Sequence, residues 1–287
     1  MKLPSHVWQI KSGKESAKTV VIMGSIHGDE KVGACVIDQL RNEFEKIDLK
    51  MDVYLILGNP YAHQAGKRFV EFDMNRLFGE KYSELLQADL LILSKEERRA
   101  VELAEVLKKA DLLVDIHSTI KPSVPFVYCE ATSEHLELAK LLGTKYLVSA
   151  AAHFRPDDLN SSSDNFVDHH GGIGLTYESG WSQNSLKSSV VAERVKFLLQ
   201  SFGVAEFGMN LSLEEDALQL LIYDHLIPKS KGFKFAADFS NFDYIEKGGL
   251  IAEDNERRIV AERDLFIIFP KKNIEVGSLA CYLAYKN

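Results

Sequence analysis

Residues Val20 to Glu30 read VVIMGSIHGDE, and this stretch constrains the chain more than any other. A short apolar run stops at Gly24-Ser25, and His27 and Glu30 follow three residues apart. Such a run, closed by small residues, is a buried strand, and the turn after it delivers polar groups to the end of a sheet. Imidazole and carboxylate at i and i+3, on a turn entering a helix, can converge on one cation. Taken alone, H-x-x-E has a plainer reading: Asp29 or Ser25 caps the next helix and His27 lies on the surface.

A second site of the same kind tips the balance. Asp111 to Ile116 (DLLVDI) is another short apolar run, and it ends in His117-Ser118-Thr119. Two strand ends thus each supply a histidine. Two nitrogens and one carboxylate form the open set that catalytic zinc sites use, with a coordination position left for water. His27, Glu30 and His117 are therefore candidate ligands for one Zn2+ per chain.

Between these runs the pattern alternates. Strands are expected at Val7–Ile10, Val20–Ile26, Asp52–Leu57, Asp111–Ile116, Pro125–Cys129, Tyr146–Ala151 and Ile173–Tyr177. Helices are expected from Glu30 to Ile47, from the capping box Ser94-Lys95-Glu96-Glu97 to Ala110, from Ser133 to Leu142, and from Asn184 to Phe202. Lys11–Lys18 reads as a polar turn. Tyr61–Phe78 fits no regular period and carries Lys67, Arg68, Glu71, Asp73, Asn75 and Arg76. A long loop after a central strand is usually functional, so its arginines are candidates for anion binding. His153–Gly172 is polar. Its His169-His170 pair is read as pocket rim rather than metal site, because adjacent residues of an extended segment point to opposite faces. Ile173–Tyr177 delivers Glu178 to the same edge as the histidines, as a candidate general base.

Alternating strands and helices imply an α/β domain with a mixed sheet flanked by helices, covering residues 1–204. Beyond Ala205 short apolar runs at Gln219–Tyr223, Leu250–Ala252, Leu265–Phe269 and Leu279–Tyr285 are separated by turn signals. They read as a small β-rich C-terminal domain, residues 205–287.

The set GSIHGDE, KRFVEFDMNRLF, DIHST and TYESG resembles the succinylglutamate desuccinylase and aspartoacylase family, within the wider group of zinc carboxypeptidase-like hydrolases. The resemblance covers Val20 to Gly180 and implies the carboxypeptidase-like fold. It implies that His27, Glu30 and His117 bind zinc, and that Arg68, placed as in the family's R-x6-N-R pattern, polarises the scissile carbonyl. It also implies that Asn75 and Arg76 grip the substrate's α-carboxylate and that Glu178 activates water. The implied activity is deacylation of an N-acyl amino acid or similar small carboxylate. Where aspartoacylase uses Tyr and Arg to read a second carboxylate, Asp164–Asp168 holds acids and no arginine; Arg155 is the nearest basic candidate. Two alternatives are a carboxypeptidase-like hydrolase acting on a peptide end, which a narrow roofed pocket would disfavour, and a non-catalytic metal- or ligand-binding module on the same fold.

Composition bounds the partners. A chain of 287 residues suits one large domain or a main domain with a smaller companion. A net charge of −8 argues against a nucleic-acid binder, which normally shows a basic face. No stretch approaches the apolar length that spans a bilayer, and MKLPSHVWQIKSGKES lacks a signal-peptide core. The expectation is a cytoplasmic protein acting on a small-molecule carboxylate, without nucleic-acid or membrane partners and compatible with a homo-oligomer. Cys35, Cys129 and Cys281 are expected as buried free thiols.

Overall fold

Every apolar run read above becomes a strand, and all but one enter a single sheet. The computed structural model describes residues 3–13, 18–183, 186–214, 216–271 and 274–287. In chain order the elements are β1 (Val7–Ile10), β2 (Thr19–Gly24), α1 (Lys31–Phe44), β3 (Asp52–Leu57), α2 (Pro60–Ala65), α3 (Glu80–Leu85) and α4 (Lys95–Leu107). Next come β4 (Leu112–Thr119), β5 (Phe126–Cys129), α5 (Ser133–Leu141), β6 (Tyr146–Ala150), α6 (Asp157–Asn160), α7 (Ser163–His169), β7 (Ile173–Trp181) and α8 (Ser188–Phe202). The C-terminal part contributes β8 (Leu218–Leu226), β9 (Lys234–Phe235), β10 (Tyr244–Ile245), β11 (Leu250–Glu253), β12 (Arg258–Val260), β13 (Leu265–Ile268) and β14 (Cys281–Lys286).

The main sheet has the order β1-β3-β2-β4-β7-β5-β6-β8-β14-β13-β10. Its centre is parallel: β2 pairs with β3 and β4, and β4 with β7. All eight residues of β4 are buried, as expected of a strand covered on both faces. Alternate residues of β2 feed opposite cores. Val20 and Ile22 pack with Val36, Leu40, Val195 and Leu199 of α1 and α8, while Val21 and Met23 pack with Leu103 and Leu107 of α4 and Phe166 of α7.

The C-terminal strands do two things. Strand β8 pairs in parallel with β6, and β14, β13 and β10 follow antiparallel, so the main sheet continues into them. Strands β12, β11 and β9 form a separate three-stranded sheet.

Several expectations are corrected. The segment Tyr61–Phe78 is not wholly irregular: Asn59 caps α2 by accepting from the Ala62 N–H, and Gly66 closes it in the left-handed conformation. A 3-10 turn follows at Met74–Arg76. His153–Gly172 contains α6 and α7, so His169 and His170 end a helix and are not extended. Each Nδ1 lies 2.8 Å from a backbone carbonyl, of Asn165 and Phe166 respectively. Cys35 is exposed on α1, because it falls on the helix face turned from the sheet; Cys129 and Cys281 are buried. Part of the expected Lys11–Lys18 turn, and the Asn184 start of the last long helix, lie outside the described residues.

Candidate metal centre and catalytic pocket

The site forms where β2, β4 and β7 end together. Strand β2 must bring α1 very close: a Cβ on Gly24 would stand 2.6 Å from the Gly33 carbonyl carbon, and one on Gly33 would stand 2.9 Å from the Ile116 oxygen. Only glycine permits this backbone contact. The chain then turns at Ser25, whose φ of 54° is left-handed and whose Oγ donates to the Glu30 carbonyl at 2.9 Å. Gly28 is equally confined, since a Cβ there would meet α2 at Ala62. Its N–H donates to the Arg68 carbonyl at 3.0 Å, which ties the H-x-x-E turn to the arginine loop.

Glu30 occupies the N-cap position of α1 but caps nothing with its side chain. Its carboxylate faces the histidines instead. His27 Nδ1 is 2.9 Å from Oε1, and His117 Nδ1 is 3.1 Å from Oε2, which also accepts from the Ser118 N–H at 3.0 Å. All three side chains are buried, and one ligand atom of each lies within 4.8 Å of the others. Among the described residues they are the one group of three able to hold a metal ion.

The outer nitrogens of both rings face carboxylates. His27 Nε2 is 3.1 Å from Asp73 Oδ1 and 2.8 Å from Arg68 Nη2, so its protonation decides whether it donates to the acid or accepts from the guanidinium. His117 Nε2 is 3.1 Å from Asp115 Oδ2, at an angle that makes no hydrogen bond. Asp115 Oδ2 is itself held by the Ser163 hydroxyl at 2.6 Å. Carboxylates behind ligand histidines orient the rings and raise their basicity. Burial opposes charge on Glu30, yet His27 and His117 together hold its carboxyl far below the usual range. Burial likewise opposes charge on His117, and Asp115 and Glu30 outweigh it, holding the imidazolium well above its ordinary pKa. A metal would take the place of protons in this cluster.

Glu178 sits opposite His117 in the β4–β7 ladder. It is 6% exposed, and its Oε2 has no hydrogen-bond partner. Burial pushes its carboxyl up to about 7, against the pull of His117. Arg68 leans into the cluster, its Nη1 3.2 Å from Glu30 Oε1 and its Nη2 3.5 Å from Asp73 Oδ2. Asn75 accepts the Ser163 N–H at its Oδ1, 2.9 Å away, which leaves its NH2 group for the pocket. Arg76 is steadied by its Nη1 donating to the Asn75 carbonyl at 2.8 Å.

All the expected site residues except Glu30 line one cavity of about 90 Å³, and Glu30 stands at its edge between the two histidines. Arg155 is not among them; it pairs with Glu130. The cavity also draws on residues the sequence reading did not select: Tyr128, Asp164, and, from the C-terminal strands and their loops, Phe269, Lys271 and Tyr282. Burial raises the Asp164 carboxyl to about 6, and its Oδ1 has no partner. No local pattern marks these residues; only the fold of the whole chain brings them here.

Residues 16–197 match the family described as the succinylglutamate desuccinylase/aspartoacylase catalytic domain. The chain is 28% identical to a succinylglutamate desuccinylase of Pseudomonas fluorescens, over 92% of this chain and 82% of that protein. In fold it is similar to succinylglutamate desuccinylase structures from Vibrio parahaemolyticus (TM-score 0.78, 17% identity, covering 99% of this chain and 90% of that one) and Vibrio cholerae (TM-score 0.79, 19% identity, covering 98% and 85%).

Proposed function

Because the chain belongs to the succinylglutamate desuccinylase/aspartoacylase family, we propose that it is a zinc-dependent amidohydrolase, removing the acyl group from an N-acyl amino acid or a similar small carboxylate. The observation that carries this reading is the buried His27, Glu30 and His117 cluster with an unpartnered Glu178 oxygen beside it. The donor set fits the ion: two imidazole nitrogens and a carboxylate, with a carboxylate behind each ring, are what a catalytic zinc site uses. His27, Glu30 and His117 would hold it, and zinc bound there supplies Lewis-acid polarisation and acidifies a water to a pKa of roughly 7.

The chain's own residues do the rest. Glu178, with its carboxyl near neutrality, takes a proton from the attacking water and returns it to the departing nitrogen. Water adds to the carbonyl carbon, the C–N bond breaks, and a carboxylic acid and a free amine leave. Arg68, at the edge of the cluster, offers its guanidinium to the carbonyl oxygen as negative charge grows there. Asn75 and Arg76 orient the substrate through its α-carboxylate, the arginine by two parallel hydrogen bonds. The walls Phe269 and Tyr282 keep bulk water from the reacting atoms.

The test is a panel of formyl, acetyl and succinyl amino acids with zinc-loaded protein. Turnover by the parent, with Glu178→Gln keeping its zinc but not its activity, is the expected result. A zinc-loaded parent inert across the whole panel would make the chain a binding module instead.

A further inference from the structure

The reaction gives Asp164 no task, although it lines the same cavity as Glu178 and Arg76. It is 2% exposed, and its Oδ1 has no hydrogen-bond partner among the described residues. The fold fixes it there. A Cβ on Gly174 of β7 would collide with the Asp164 backbone, so only glycine lets the first turn of α7 press onto the sheet at this point. Beside Asp164 in the cavity are Thr176 and Tyr128, ladder partners on β7 and β5. Burial raises the Asp164 carboxyl to about 6, and the charges that act on it most, Asp168 and Asp115, are both negative. The two arginines of the cavity answer other acids: Arg68 faces Glu30 and Asp73, and Arg76 adds to the pull on Asp73. Lys271 stands where the cavity borders a second hollow, lined by Lys121 and Asp238 as well. A buried carboxyl in negative surroundings calls for a positive partner, and here a substrate can bring it.

Building on the deacylase reading, we propose that Asp164 determines specificity: it receives a primary ammonium at the end of the amino acid's side chain, so that the preferred substrate is an N-acyl diamino acid rather than an N-acyl acidic one. An ammonium has three donors, and Asp164 Oδ1 and the hydroxyls of Thr176 and Tyr128 offer three oxygens. The amino acid's side chain, not its acyl group, reaches them. Asn75, which with Arg76 grips the α-carboxylate, accepts from the N–H of Ser163, the neighbour of Asp164, at 2.9 Å. That holds the Cα next to this wall. The strand sets the length. Thr176 precedes Glu178 by two residues on the same face of β7, roughly 7 Å away. A departing nitrogen at Glu178 and an ammonium at Thr176 are spanned by about two or three methylene groups. A glutamate side chain would set a second carboxylate against Asp164, and a norvaline side chain would leave it unpartnered.

The test titrates zinc-loaded protein calorimetrically with 2,4-diaminobutyrate, ornithine, glutamate and norvaline as free amino acids, and assays it on the N-formyl, N-acetyl and N-succinyl derivatives of each. The better of the two diamino acids is expected to bind about ten-fold or more tightly than glutamate or norvaline, and kcat/KM for its acyl derivatives is expected to lead by as much. In Asp164→Asn, which keeps the shape of the side chain, both leads should fall to within about two-fold. In Thr176→Val they should shrink without vanishing.

Glutamate or norvaline equal or better, in binding or in hydrolysis, overturns the proposal and leaves the deacylase reading standing. A lead that survives Asp164→Asn intact moves recognition to another group and overturns it too. Selective binding of a diamino acid, with none of its acyl derivatives hydrolysed, sinks the deacylase reading and leaves the ammonium site. Neither binding nor hydrolysis of any of them sinks both.

Discussion

Glu178 and Asp164 are both carboxyls that burial raises, to about 7 and about 6, yet they are placed differently. Glu178 faces His117 across a strand pair, and Asp164 lines the pocket from the first turn of α7. Glu178→Gln keeps the shape and removes the base, so kcat should fall by about 10²–10⁴ while metal content, measured by elemental analysis, stays constant. Arg76→Ala should raise KM for substrates with a free α-carboxylate; if the parent hydrolyses their methyl esters equally well, the carboxylate grip is misassigned. Asp164 gives a stability prediction with a definite sign. Its folded form holds the proton more tightly than the unfolded chain, so the stability it contributes at pH 4 is lost as pH rises through about 6. Ionising it in place costs on the order of 3 kcal/mol. Asp164→Asn should therefore melt at a higher temperature than the parent at pH 7.5, by roughly 5 °C or more, and at the same temperature near pH 3.5. Equal melting at both values would mean that Asp164 finds a partner in solution. His27, Glu30, His117 and Glu178 could be picked from the sequence because each follows an apolar run that fixes its place at a strand end. Asp115 and Asp73 could not, since each works through a ring brought near it by the fold.

At the scale of elements, α4 anchors the arginine loop. Its capping box, Ser94 with Glu97, was legible because that device is local. Glu96 and Arg99 were not, because charges on a helix normally face water. Both are buried here. Glu96 accepts from the Val70 N–H at 2.7 Å, the Glu71 N–H at 3.3 Å and the Asn59 amide at 3.2 Å, while Arg99 donates to the Gly58 and Leu57 carbonyls at 3.0 Å each. The loop bearing Arg68 thus hangs from the first turn of α4. Glu96→Ala should leave buried donors unpaired, destabilise the protein by about 1–3 kcal/mol and speed amide exchange at Val70 and Glu71. Ser94→Ala should cost about 1 kcal/mol and leave that exchange unchanged relative to global stability. Matching exchange in the two variants would show that the loop is held some other way. The irregular texture of residues 61–78 hid α2, whose six residues are too few to display a helical period.

At the scale of the whole molecule, residues 205–287 wall one side of the candidate pocket. They supply Phe269, Lys271 and Tyr282 to the pocket and continue the main sheet from β6. A chain ending at residue 204 would expose the β6 edge and the cluster of Phe126, Tyr146 and Val148 now covered by Leu220, Phe242 and Tyr282. It should be aggregated by size-exclusion chromatography; a soluble, cooperatively melting monomer would show that the sheet can stop at β6. The turn-separated texture after Ala205 announced strands but not which sheet they join, because partner choice is not written in a strand's own residues. Strand partnership also settles how activity can be lost. His117 and Glu178 are ladder partners on β4 and β7, and a slip of one position between those strands would turn every side chain of one of them to the other face. A molecule threaded that way would be silent rather than sluggish, so the specific activity of a preparation counts its correctly threaded fraction.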